Sequence, residues 1–215
     1  MKKDLCELVF ILDRSGSMSG LESDTIGGYN SMLDKQRKEF GEAIVTTVLF
    51  DDCYELLHDR INIKGISNIT EDDYYVRGTT ALLDAIGKTI LKIENAQKHT
   101  IEDERPEKTL FIITTDGLEN ASREFRDDKI RKMIESKKEA GWEFIFLGAN
   151  IDAVKVGKSF GIKEDECVNY HSDPIGTANL YASVSYAVSN MRKTGKVDKS
   201  WRKCIDEDFN NRNRA

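Results

Sequence analysis

The sequence predicts an α/β fold: three layers, with a doubly wound, mostly parallel sheet, one antiparallel edge strand, and helices on both faces. Three observations carry this. The runs Leu8-Val9-Phe10-Ile11-Leu12, Leu110-Phe111-Ile112-Ile113 and Phe144-Ile145-Phe146-Leu147 are continuously apolar, as strands buried on both faces must be. Segments of helical periodicity separate them, long enough for the right-handed crossovers that parallel strands need. Two of the runs, at Leu8 and Leu110, end abruptly in polar loops containing glycine.

Taken in order, the first strand empties into Asp13-Arg14-Ser15-Gly16-Ser17-Met18. Ser19-Gly20-Leu21-Glu22 then matches a capping box, with Ser19 as N-cap, opening a helix that puts Leu21, Thr25, Tyr29, Met32 and Leu33 on one side. A strand over 43–50, the turn Asp51-Asp52 and a more polar strand over 54–63 read as a hairpin, its second strand at the sheet edge where charge is tolerated. Arg77-Gly78-Thr79-Thr80 opens a helix striped by Leu82, Leu83, Ile86, Ile90 and Ile93. The polar interval 94–108 reads as helix end plus loop, and the Leu110 strand then ends in Thr114-Thr115-Asp116-Gly117. A helix over 127–140, the Phe144 strand, a short helix over 153–160, a short strand near Cys167-Val168 and a last helix over 175–191 complete the pattern. Beyond residue 192 the chain is basic and reads as a mobile extension with a short helix near Trp201, so the domain is expected over 1–192 and the extension over 193–215.

A chain of 215 residues can bury a substantial core, and 33% charged with 39% hydrophobic residues suits a globular protein. The net charge of −6 argues against general affinity for nucleic acid or membrane surfaces. Met1-Lys2-Lys3-Asp4 imitates the start of a signal peptide, but Glu7 interrupts the apolar run and no small-residue cleavage site follows. Cys6, Cys53, Cys167 and Cys204 form no C-x-x-C pair and read as reduced thiols, and with no signal peptide read at the start the expected location is the cytoplasm. His58, His99 and His171 lie outside the motif loops at no metal-ligand spacing. Gly157-Lys158-Ser159 resembles the tail of a phosphate-binding loop, but Asp152 stands where that loop needs glycine; a helix C-terminus with a basic residue is the better reading.

The chemistry gathers in three loops. Asp13, Ser15 and Ser17 follow the first strand, Thr79 and Thr80 precede the second long helix, and Asp116 follows the Leu110 strand. In open α/β sheets ligands bind at the carboxyl ends of the strands. All these side chains offer oxygen and none offers nitrogen or sulfur, the preference of Mg²⁺, with Mn²⁺ and Ca²⁺ also acceptable.

Asp13-Arg14-Ser15-Gly16-Ser17 resembles the D-x-S-x-S motif of the von Willebrand factor type A domain, also seen in integrin inserted domains. Gly78-Thr79-Thr80-Ala81-Leu82-Leu83-Asp84 resembles the G-G-T-x-L-x-D pattern of bacterial members, with Thr79 where the second glycine usually stands; this leaves Thr79 and Thr80 as candidates for the family's threonine, of which Thr80 aligns. Thr115-Asp116-Gly117 is similar to the family's T-D-G. The resemblance spans roughly residues 4–191 and implies a Rossmann-like fold with a metal-ion-dependent adhesion site: Ser15, Ser17 and Thr80 as direct ligands, Asp13 and Asp116 direct or through water. It further implies a partner protein that completes the ion with an Asp or Glu, and no catalysis. A phosphohydrolase using Asp13 is the alternative, but enzymes with a carboxylate nucleophile resemble D-x-D, and Ser15 stands at the second position. A metal-independent scaffold is a third reading.

Overall fold

The computed structural model describes residues 1–212. Six strands, β1 (Lys2–Asp13), β2 (Glu42–Phe50), β3 (Tyr54–Asn62), β4 (Pro106–Thr115), β5 (Glu143–Gly148) and β6 (Cys167–Asn169), form one sheet in the order β3-β2-β1-β4-β5-β6. Among the described residues only the β2–β3 hairpin is antiparallel; the other pairs are parallel. The helices are α1 (Glu22–Arg37), α2 (Leu82–His99), α3 (Asp127–Glu139), α4 (Ala153–Ser159), α5 (Pro174–Thr194) and α6 (Lys203–Arg212).

Alternation along the buried strands sorts the core into two layers. Leu8, Phe10, Leu12, Leu110, Ile112, Ile145 and Leu147 face the layer that holds α1 and α5, while Val9, Ile11, Phe111, Ile113, Phe144 and Phe146 face α2 and α3. The α2 stripe Leu82, Leu83, Ile86, Ile90 and Ile93 is buried as its spacing requires. The chain leaves β1 in one direction for β2 and later returns to β1's other side with β4. That reversal puts the topological switch point between the carboxyl ends of β1 and β4.

Two expectations are corrected. The first is the capping box at Ser19. Gly16–Met18 instead forms a short 3₁₀ turn, Gly20 takes the left-handed conformation at φ 88°, and α1 starts only at Glu22. The Glu22 carboxylate accepts the Gly20 N–H at 2.7 Å, so it reaches back to a loop glycine and not to an N-cap serine. The Asp13–Ser17 loop needs those residues for its own turn before a helix can begin.

The second is the mobile extension. After α5, a 3₁₀ turn (Lys199–Arg202) and α6 fold back onto the α1/α5 layer, burying Trp201 and Ile205 in the core. The segment's cations find acids on the domain or along the helix: Lys193 with Glu39 at 3.1 Å, Lys199 with Asp165 at 2.8 Å, Arg202 with Asp206 at 2.6 Å, and Arg212 with Asp173. Arg192 is buried, its guanidinium donating to the carbonyls of Gln36 in the last turn of α1 and of Glu39, Phe40 and Gly41 just beyond it. Arg214, the last basic residue of this segment, lies outside the described residues.

Candidate metal centre

The three motif loops meet at the switch point. Asp13 is the last residue of β1, and Asp116 follows the last residue of β4, its neighbour in the sheet. The Asp13 carboxylate ties the loops together: Oδ1 accepts the Ser15 N–H at 2.7 Å, and Oδ2 accepts the Thr115 hydroxyl at 2.6 Å and the Asp116 N–H at 3.4 Å. The Asp13 carbonyl accepts the Tyr74 hydroxyl at 2.5 Å.

Above this carboxylate three hydroxyls converge. Ser15 Oγ lies 3.1 Å from Ser17 Oγ and 3.0 Å from Thr80 Oγ1. Of the two candidate threonines only Thr80 enters the cluster; it is buried, whereas Thr79 is exposed. A Cβ at Gly117 would stand 3.0 Å from Ser17 Oγ and 3.1 Å from Thr80 Oγ1, so the bare backbone there keeps the hydroxyls clear.

Asp116 is held by two residues that the motifs did not reveal. Asn150, in the loop after β5, donates its side-chain amide to Asp116 Oδ1, and Ser172, in the loop after β6, donates to Oδ2 at 2.5 Å. Asn150 carried the same signal as Asp13 and Asp116, a polar side chain just past an apolar strand. Ser172 follows a strand too short to give one.

Both site carboxyls are pushed above the usual carboxylate range. For Asp13 the cause is burial, offset in part by the donors from Ser15, Thr115 and Asp116. For Asp116 it is burial first, with the neighbouring Asp13 charge adding to it and Ser172 and Asn150 opposing. No Lys, Arg or His among the described residues pairs with either one. Two buried acids without a cation are costly unless an ion joins them.

The donor set fits a small hard cation. Cis ligands about 2.1 Å from an octahedral ion stand about 3.0 Å apart, the spacing of the Ser15–Ser17 and Ser15–Thr80 oxygens. It is equally a hydrogen-bond spacing, which is how the hydroxyls satisfy one another. A second group, Asp51, Asp52 and Cys53, brings its ligand atoms within 4.8 Å of one another. It is a poor cation site, because Asp51 Oδ2 already accepts the guanidiniums of Arg14 at 3.0 Å and Arg77 at 2.7 Å.

The last residue of the second motif has a structural task. Asp84, near the start of α2, accepts the backbone N–H groups of Arg123, Glu124 and Phe125 at 2.9–3.0 Å, anchoring the loop that follows Asp116. Burial pushes its carboxyl up, but these donors outweigh burial and hold it below the ordinary range. Its contribution is therefore present above the unfolded pKa and lost as pH falls through the lower folded one. Asp84→Asn is expected to cost about 1–3 kcal/mol at neutral pH, with the gap between variant and wild type in urea midpoints narrowing below about pH 4.

No protein-family model matches the sequence, nor does any curated protein sequence. Solved structures do match. The vWF domain of the type V pili tip protein Mfa5 from Porphyromonas gingivalis superposes with a TM-score of 0.62 at 11% identity, over 90% of this chain and 98% of that one. Manganese-loaded TRAP protein of Plasmodium vivax gives 0.59 at 18% identity, over 84% and 73%. Proximal thread matrix protein 1 from the mussel byssus, with its metal-ion-dependent adhesion site occupied by zinc, gives 0.58 at 15% identity, over 86% of this chain; the chain spans only 46% of that protein's length. Sheet order, the single antiparallel edge and these superpositions agree: this chain has the von Willebrand factor type A fold.

Proposed function

We propose that the protein is a metal-dependent protein-binding module, in which Mg²⁺ held by Ser15, Ser17, Thr80, Asp13 and Asp116 is completed by an Asp or Glu of a partner. The observation that carries the reading is the meeting of three hydroxyls within 3.0–3.1 Å, beside two buried carboxyls that lack a cation. When bound, the ion would supply a Lewis-acidic site for a carboxylate oxygen. Neutral hydroxyl ligands leave it more of its charge than a ring of carboxylates would, so a partner's carboxylate remains attractive. Asp13 holds the Ser15 turn, and Asn150 and Ser172 orient Asp116. Among the similar structures one is manganese-loaded and another holds zinc at its metal-ion-dependent adhesion site, which supports a metal here.

The proposal includes binding without catalysis. Ser15 stands where a hydrolase with a carboxylate nucleophile needs its acid, and its hydroxyl is engaged with Ser17 and Thr80. It also includes a reducing, cytoplasmic setting, supported by four free thiols. Burial pushes two of these, Cys6 and Cys167, up to about 12. No helix among the described residues is long and apolar enough to cross a membrane.

Affinity capture on the immobilised protein tests the reading. A partner retained in Mg²⁺ should be released by EDTA and absent from an Asp13→Ala column. The same partner held equally on the variant and in EDTA would overturn it.

A further inference from the structure

We infer that the partner presents its carboxylate between apolar residues, which dock against Tyr75, Leu118 and Ile175 around the metal. This rests on the metal–carboxylate reading and adds what the partner must look like. The three side chains are large, apolar and exposed, at 44%, 65% and 61% respectively. They stand on three separate segments, two loops and the start of α5, each of which adjoins the site. Leu118 comes two residues after Asp116. Ile175 lies in the first turn of α5, just past the Ser172 that holds Asp116. Tyr75 follows the Tyr74 that donates to Asp13, and its loop is bonded to the first motif by Arg77 N–H to the Arg14 carbonyl at 2.9 Å.

These side chains are displayed on fixed backbone. The Glu119 carboxylate beside Leu118 accepts the N–H groups of Leu83, Ala121 and Ser122 at 2.7–3.0 Å, and Asp84 holds the next three residues. Tyr75 is clamped by two guanidiniums, Arg14 at 5.4 Å and Arg77 at 5.3 Å from its ring centroid. Asp173 caps α5 two residues before Ile175, accepting the Gly176 N–H at 2.8 Å. Apolar side chains held rigidly in water at one edge are a pre-organised contact surface.

Charge narrows the occupant further. Arg14 and Arg77, the cations beside Tyr75, are already paired with Asp51, and Arg14 also with Glu55. Arg14 is buried out of a partner's reach, and the charge of both guanidiniums is offset by Asp51 and Glu55, with Asp52 adding a further negative charge nearby, so a second partner acid gains little here. The surface therefore suits a single Asp or Glu between residues such as Leu, Ile, Val or Phe.

A phage-displayed library of random nine-residue peptides, selected on the full chain in Mg²⁺ and eluted with EDTA, tests this. Enrichment of one acidic position with apolar neighbours is the expected result. An acidic position with unbiased neighbours would overturn the inference and leave the metal–carboxylate reading standing. Peptides without an acid, or no enrichment at all, would overturn both. On an enriched peptide, the double variant Leu118→Ser, Ile175→Ser should bind about tenfold or more weakly in fluorescence anisotropy, with the Mn²⁺-induced rise in melting temperature unchanged. Undiminished affinity would refute the docking role.

Discussion

Replacing Asp13 with asparagine should lower Mg²⁺ and Mn²⁺ affinity by at least about 100-fold while leaving the metal-free protein about as stable as wild type. The two halves of this result have separate causes. The carboxylate is buried, lacks a cationic partner, and sits above its usual pKa because of that burial, so its charge is a burden on the metal-free fold. Asparagine keeps the shape and still offers an oxygen to the Ser15 N–H, the Thr115 hydroxyl can turn to accept from the new amide, and only the long 3.4 Å bond from the Asp116 N–H is lost. What disappears is the negative charge at the end of β1, the part that matters to a divalent ion. Thermal unfolding with and without Mn²⁺ reads both halves. A variant whose melting temperature still rises with Mn²⁺ as the wild type's does would show that Asp13 is not part of a metal centre.

Gly176→Ala should destabilise the protein by about 2–3 kcal/mol, lowering the melting temperature by about 5–10 °C. In an ordinary helix the same change would stabilise by about 0.5–1 kcal/mol, so the expected sign is reversed. The reason is the backbone of the preceding loop. A Cβ on Gly176 would lie 2.0 Å from the His171 carbonyl oxygen and 2.8 Å from its carbon, and main chain cannot swing aside as a flexible side chain can. Relief requires the 171–173 loop to move, and Ser172 with it. The ring of His171 stacks on Phe209 of α6 at 4.8 Å and Asp173 pairs with Arg212, so the displacement would also strain the C-terminal helix. Metal affinity should fall about tenfold in the same variant, because Ser172 no longer orients Asp116. Ser172→Ala separates the effects: it should weaken metal binding comparably with a smaller loss of stability. An unchanged melting temperature for Gly176→Ala would mean the loop is softer than its contacts imply.

Most of the architecture was legible because its physical cause is local. Uninterrupted apolar runs at Leu8, Leu110 and Phe144 can satisfy their environment only as strands covered on both faces. The polar 54–63 segment could only sit at an edge, where β3 is found. The capping box at Ser19 misled because a four-residue pattern cannot register that the preceding loop needs the same residues for its own turn. The C-terminal segment misled for a related reason. Its charges suggested solvent, but they are paired with acids such as Glu39, Asp165 and Asp173, distant in sequence, and Trp201 and Ile205 bury beneath them.

The residues alone determined which chemistry the chain carries: an oxygen-only set of carboxylates and hydroxyls, placed after buried strands by the alternation of apolar runs and polar loops. Only the tertiary structure decided which of those oxygens meet. The choice of Thr80 over Thr79, the clamp of Asn150 and Ser172 on Asp116, and the role of Asp84 in holding the 123–125 loop all depend on contacts between distant parts of the chain. Local pattern records the preference of each residue for its immediate neighbours, whereas these contacts arise when parallel strands align their carboxyl ends at one edge of the sheet.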